Sequence, residues 1–189
     1  MKDIFTGELV HLGAVDPEEM SKALSHWNRD SEYTRLLNMT VRPLNSAKAI
    51  QKWLEKEIEE MSPTDFFFSI RTLDEDKFIG GLGLNVISWA SREAFIGIFI
   101  GEREYWGKGC GTDAMSILLR YAFTELNLWR VSLGVFDYNP RAIRSYEKVG
   151  FRHEGRMRRY LNHEGKRWDL LYMGIHREEW LQMQNGDKK

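Results

Sequence analysis

Phe95-Ile-Gly-Ile-Phe-Ile100, then Trp106-Gly-Lys-Gly-Cys-Gly-Thr112, then Met115, Leu118, Leu119, Ala122 and Leu126 follow one another in the middle of the chain. The first is a short, almost continuous apolar run, which suits a strand buried on both faces. The second is a glycine-rich loop. The third recurs at i, i+3, i+4, i+7 and i+11 and marks one stripe of a helix. Arg130 to Phe136 reads as a further strand. Strand, loop, helix and strand in that order imply a right-handed crossover and a parallel pair.

The loop has a chemistry of its own. Gly107, Gly109 and Gly111 alternate immediately before the helix. Residues without Cβ let main-chain N–H groups turn inward and approach a ligand closely. The first N–H groups of a helix lack intrahelical partners, and its dipole adds partial positive charge there. Together these features suit an anion, phosphate above all. A nucleotide-hydrolase loop needs Ser or Thr after the lysine, but Gly109 follows Lys108. A dinucleotide fingerprint counted from Gly107 needs glycine where Thr112 stands. What remains is a pyrophosphate cradle without a metal ligand, or a tight strand-to-helix turn and nothing more.

A second segment bears on the choice. In Asn139-Pro-Arg-Ala-Ile-Arg-Ser-Tyr146, the first and last residues are two helical turns apart and share one side of a short helix over 140–149. Asn139 caps that helix and Gly150 closes it. The helix follows the strand expected beside the loop, so an amide and a phenol would face one crevice. Ligands of parallel α/β sheets gather at such strand ends.

Outward from this centre, Leu9 to Val15 reads as a strand. Asp16-Pro-Glu-Glu19 starts a helix that reaches about Trp27. A short helix follows Ser31, and Ser46 to about Met61 forms a charged one. Phe66–Ile70 and Phe78–Leu84 make a hairpin around Asp74-Glu-Asp-Lys77. Phe151 to Leu161 and Arg167 to Ile175 close the chain as two strands around His163-Glu-Gly165. With no repeat or linker, residues 1–184 form one mixed α/β domain, and the polar tail 185–189 frays.

Composition narrows the class. The chain has 189 residues, 42% hydrophobic, with 27 basic against 28 acidic side chains. A net charge of −1 argues against nucleic acid as partner, because backbone affinity needs a basic surplus. Arg156, Arg158 and Arg159 read as a solvated strand face. The single Cys110 excludes an internal disulfide. No apolar run reaches the ~18 residues of a membrane span, and Met1 to Glu8 lacks a signal-peptide core, so a cytoplasmic protein is expected. The five histidines show no metal-ligand spacing, and no metal is expected.

At this point the sequence resembles the GNAT superfamily of N-acetyltransferases, most of all the ribosomal-protein N-terminal acetyltransferase branch, with spermidine acetyltransferases nearby. The residues that carry the resemblance are Tyr105-Trp-Gly-Lys-Gly-Cys-Gly-Thr-Asp-Ala114, Asn139-Pro-Arg-Ala142 and Ser145-Tyr-Glu-Lys-Val-Gly-Phe151. It extends from about Leu9 to Trp180. It implies a GNAT-like α+β fold: a splayed, mixed, mostly antiparallel sheet flanked by helices, with acetyl-CoA wedged into the splay. Phe99, Ile100 and Gly101 would pair with pantetheine. The loop amides of Gly107, Lys108, Gly109, Cys110, Gly111 and Thr112 would hold the pyrophosphate, and Trp106 would also contact the cofactor. Asn139 would contact the pantetheine arm, Ala142 would also bind the cofactor, and Tyr146 would bind it too and protonate the departing thiolate.

The resemblance also implies direct transfer to an amine, a protein or peptide N-terminus ahead of a polyamine. It is compatible with a homodimer. Trp106 replaces the Gln or Arg with which the phosphate motif commonly opens. Where relatives often keep a catalytic Glu, this chain has Phe95 and Gly134, so no general base follows from the motif. Glu93 and Glu102 are nearby acids, beside a water relay or an amine that arrives neutral. Cys110 reads as a small residue filling the turn rather than a nucleophile, and Asp169 as a structural hydrogen-bonding group. A catalytically weak acyl-CoA-binding module is the competing reading.

Overall fold

The computed structural model describes residues 3–37 and 43–186. In chain order, strand β1 (Val10–Gly13) is followed by helices α1 (Pro17–Trp27), α2 (Ser31–Leu37) and α3 (Ala47–Glu59). Strands β2 (Asp65–Thr72), β3 (Phe78–Ser88) and β4 (Glu93–Ile100) come next, then α4 (Cys110–Thr124), β5 (Arg130–Phe136) and α5 (Pro140–Lys148). The hairpin β6 (Arg152–His163) and β7 (Lys166–His176) leads into α6 (Arg177–Gly186). The seven strands form one sheet in the order β1-β2-β3-β4-β5-β7-β6. Every neighbouring pair is antiparallel except β4 with β5. The mixed, mostly antiparallel α/β sheet expected from the sequence is present.

Local chemistry accounts for the boundaries. The Asp16 carboxylate accepts the N–H groups of Glu18 and Glu19, and Pro17 begins α1 without an N–H to strand. The Ser46 hydroxyl caps α3. Gly150 takes φ +99° at the close of α5, a conformation that costs other residues strain.

The core lies between the sheet and α4. Met115, Leu118, Leu119 and Ala122 are fully buried, as the stripe predicts, together with Ala114, Ile117 and Phe123. Each large side chain buried there contributes ~1.5–3 kcal/mol. Leu126 falls just past the end of α4 and packs against the same core. A second cluster joins Met20, Trp27, Tyr33, Ile50, Leu54 and Phe78, so α1, α2 and α3 cover the other face beside Phe99 and Trp106.

Two expectations need correction. β4 is not buried on both faces: Ala94 and Ile96 are, but Phe95 is 38% exposed and Gly97 is exposed. Phe95 and Gly97 face the gap where the strands part rather than a packed layer, whereas Phe99 farther along packs beside α1. The last helix, α6, has no counterpart among the elements expected from the sequence. It buries only Trp180 and so lacks the apolar stripe that announces a helix. It runs two residues into the stretch expected to fray, and the remainder of that stretch lies outside the described residues.

Candidate active site

The parallel pair registers only Glu93 with Arg130, Ala94 with Val131 and Phe95 with Ser132. Beyond these the strands part. Gly101 donates its N–H to the Ile79 carbonyl at 2.9 Å. By the alternation of an antiparallel ladder, odd-numbered β4 residues therefore address β3. Ile96, Ile98 and Ile100 turn their N–H and C=O groups the other way, toward the gap. The Ile100 carbonyl accepts the Trp106 indole N–H at 2.8 Å.

A cavity of about 510 Å³ fills the gap. Side chains from both faces of β4 line it: Ile96, Ile98 and Ile100 on the α4 side, Phe95, Gly97 and Phe99 on the other. The cavity thus passes through the sheet where the strands separate.

On the α4 side the lining includes Trp106, Gly107, Gly109, Gly111 and Thr112, and from α5 Asn139, Arg141, Ala142, Arg144, Ser145, Tyr146 and Lys148. Gly107 and Gly109 hold φ of +75° and +93°, so the loop requires residues free of Cβ strain. A Cβ on Gly111 would meet only the side chains of Ile98 and Ile100, across the cavity wall. The Thr112 and Ser145 hydroxyls lie 2.8 Å apart and tie α4 to α5.

Asn139 accepts the Ala142 N–H on its side-chain oxygen, which leaves its NH2 as donor. Tyr146 is 9% exposed and packs edge-on against Phe151. Burial pushes its phenol up to about 12. At neutral pH the hydroxyl is a proton donor, and it has no hydrogen-bond partner among the described residues.

Three residues named from sequence stand outside this lining. Gly101 is closed in by Trp27, whose ring lies 2.0 Å from where its Cβ would be. Lys108 is exposed and sits 5.8 Å from the Tyr105 ring. Cys110 turns its thiol into the core, where burial raises its pKa, which suits a packing role rather than a nucleophile.

The two acids nearest in sequence are engaged elsewhere. Glu93 pairs with Arg130 at 3.6 Å at the closed end of the strand pair. Glu102 accepts the Trp27 indole N–H at 3.0 Å and faces Lys77 at 3.6 Å. No Asp, Glu or His is among the described residues lining the cavity. The Phe95 ring covers Gly134, 3.5 Å from where a Cβ would stand. Asp169 accepts the Arg159 N–H at 2.7 Å and faces Arg156 at 3.3 Å, so its bonds are structural.

Sequence reading missed part of the wall. Tyr33, Leu36 and Leu37 of α2, with Tyr160, Leu170 and Tyr172 of the last hairpin, line the side away from α4. In sequence Arg141 is only one residue of the Asn139–Ala142 motif. Its guanidinium stacks 3.8 Å from the Trp106 ring centre, and burial lowers its pKa. Stacking and desolvation depend on distant residues and leave no local pattern.

A glycine-rich helix start, three lining cations and no lining acid suit a polyanionic acyl donor, and the through-sheet gap suits transfer to a second substrate. Fold and site together define an acetyltransferase. Residues 10–152 match the family model of the acetyltransferase (GNAT) domain, and the chain belongs to that family. It is an acetyl-CoA-dependent N-acetyltransferase.

It is 29% identical over 182 residues to the uncharacterized N-acetyltransferase p20 of Bacillus licheniformis, covering 95% of this chain and 99% of that one. It is 34% identical over 108 residues to the putative ribosomal N-acetyltransferase YdaF of Bacillus subtilis, covering 57% and 58%. The spermidine N-acetyltransferase of Vibrio cholerae, solved with CoA and spermine, superposes with a TM-score of 0.77 at 25% identity, covering 91% of this chain and 98% of that one.

Proposed function

We propose that this enzyme acetylates an α-amine, the free N-terminus of a peptide or protein, by direct attack in a ternary complex. The carrying observation is the absence of any Asp, Glu or His among the described cavity-lining residues; residues 38–42, outside the described set, include none either. Without a base, the acceptor must arrive neutral. An α-amine of pKa about 7.7–8.0 is roughly one-third neutral at pH 7.5, whereas an amine near pKa 10.4 is neutral about once in a thousand.

In this reading the amides of residues 107–112 and the lining cations hold the donor's phosphates. Ile98, with main-chain groups turned into the gap, pairs with the pantetheine arm. The amine enters past Tyr33, Tyr160 and Tyr172 and attacks the thioester carbonyl. The C–N bond forms as the C–S bond breaks, and the nitrogen loses its proton to water. Tyr146 donates a hydrogen bond to the sulfur as charge develops, gives up its proton and regains one from solvent.

Release of CoA from acetyl-CoA in the presence of a free-N-terminus peptide, the same peptide blocked, and spermidine tests this. The free peptide should be turned over, the blocked one not, and spermidine poorly. Preference for spermidine would overturn the acceptor class. Acetyl-CoA binding with no turnover on any amine would favour the binding-module reading.

A further inference from the structure

A second concavity lies beside the acceptor end of the cavity. Tyr172 lines the first, and its hydroxyl donates to the Met157 sulfur at 3.4 Å. Met157 lines the second, together with Arg158, Arg159 and Asp169. The two hollows therefore share a wall, and Tyr160, the next residue along β6, lines the cavity itself.

The charge in this second hollow is unbalanced. Both Asp169 oxygens are taken up, one by the Arg159 N–H and one by the Arg156 guanidinium. Glu154 pairs with Arg130 and Glu164 with Arg35. Arg158 and Arg159 have no carboxylate partner among the described residues. From Arg130 to Asp169 the chain carries ten Arg and Lys against five Asp and Glu, although the whole chain has a net charge of −1. Three of these ten, Arg141, Arg144 and Lys148, line the α4 side of the cavity, and Arg156, Arg158 and Arg159 lie on β6 at the second hollow. The register of β6 on β7 shifts between Met157 and Leu161, and Arg159 takes φ +57°, so this stretch departs from a regular edge strand.

We infer that Arg158 and Arg159 form an anionic subsite just outside the acceptor mouth, and that it selects peptide N-termini carrying acidic side chains within their first few residues. This rests on the peptide reading above and specifies which peptides are taken. A chain whose amine lies at the strand gap extends past Tyr160 and Tyr172 into the second hollow. There, two guanidinium groups meet its carboxylates without first breaking an ion pair. Such contacts are charge-assisted and salt-sensitive.

The test uses three peptides that differ only at residues two to four, which are Glu, Gln or Lys. At low ionic strength kcat/KM should fall in that order, by about tenfold from Glu to Gln, and the preference should shrink as salt is raised. The double variant Arg158→Gln, Arg159→Gln should raise KM for the Glu peptide about tenfold. It should leave KM for acetyl-CoA and kcat on the Gln peptide unchanged. Arg158→Glu alone should move the preference toward the Lys peptide, which guards against a fold defect in the double variant. Turnover without preference, or a preference that survives the double variant, would overturn the subsite alone. No turnover of any of the three, with turnover of a small amine, would overturn the peptide reading and the subsite with it.

Discussion

The hydroxyl of Thr112, in the first turn of α4, lies 2.8 Å from the hydroxyl of Ser145 in α5. This bond, beside the packing of Ala142, Ile143 and Tyr146 on the α4 core, ties the loop that would hold phosphate to the helix that carries Asn139 and Tyr146. Removing either partner leaves a half-buried hydroxyl unmatched, at a cost of about 1 kcal/mol. Ser145→Ala should lower stability by that amount in a denaturant titration and raise KM for acetyl-CoA several-fold. Because Tyr146 keeps its packing on Phe151, kcat should move less than KM.

The same helix start bears structural load on its outer side. Asp113 accepts the N–H groups of Glu8, Leu9 and Val10 at 2.9, 2.8 and 3.0 Å on one carboxylate oxygen. A Cβ on Gly7 would stand 2.3 Å from that carboxylate. Asp113→Ala removes three charge-assisted bonds and should destabilise the protein by about 3 kcal/mol. Asp113→Asn keeps an acceptor and should lose less. Urea unfolding of the two variants checks the order.

Gly107, Gly109 and Gly111 separate two effects. Gly109 holds φ +93°, so valine there strains the backbone before any ligand is present. Gly111 has an ordinary φ, and its missing side chain leaves the space in front of Ile98 and Ile100 open. Gly111→Val should therefore cut acetyl-CoA affinity at least tenfold while the melting temperature stays nearly unchanged. Gly109→Val should lower both. Calorimetric titration beside thermal melts distinguishes them.

What could be read in advance was whatever local chemistry dictates. The Asp16–Pro17 start of α1, the Asn139 cap and Gly150 end of α5, and the α4 stripe need only neighbours in sequence. So did the gathering of Asn139 and Tyr146 on one crevice, which follows from helical periodicity. The openness of β4 could not be read, because it depends on β5 leaving after Ser132, and no pattern within Phe95–Ile100 records where a partner ends. For the same reason the exclusion of Glu93 and Glu102 from the cavity was hidden: their partners Arg130, Trp27 and Lys77 come from other elements. The position of β7 between β5 and β6, which brings Tyr172 beside Gly134, is likewise a long-range choice.

The Tyr146 phenol yields a prediction with two readouts. Burial raises its pKa from the ordinary value near 10 to about 12. Between those values the unfolded chain has released the proton while the folded one retains it. The folded state then binds more protons, so stability falls as pH rises through 10 to 12 and is fully present below 10. Two units correspond to at most ~3 kcal/mol. Tyr138, also raised to about 12, adds to the fall in wild type, so the comparison must be made against Tyr146→Phe. Denaturant midpoints at pH 9 and pH 11.5 should drop further in wild type than in the variant. If Tyr146 is the proton donor proposed above, kcat should show no descending limb below pH 10, and for the proposed α-amine acceptor kcat/KM should rise near pH 8. Tyr146→Phe should lower kcat by ~10²–10⁴ with KM for acetyl-CoA nearly unchanged. An unchanged kcat would remove Tyr146 from the chemistry and leave its phenol a packing group.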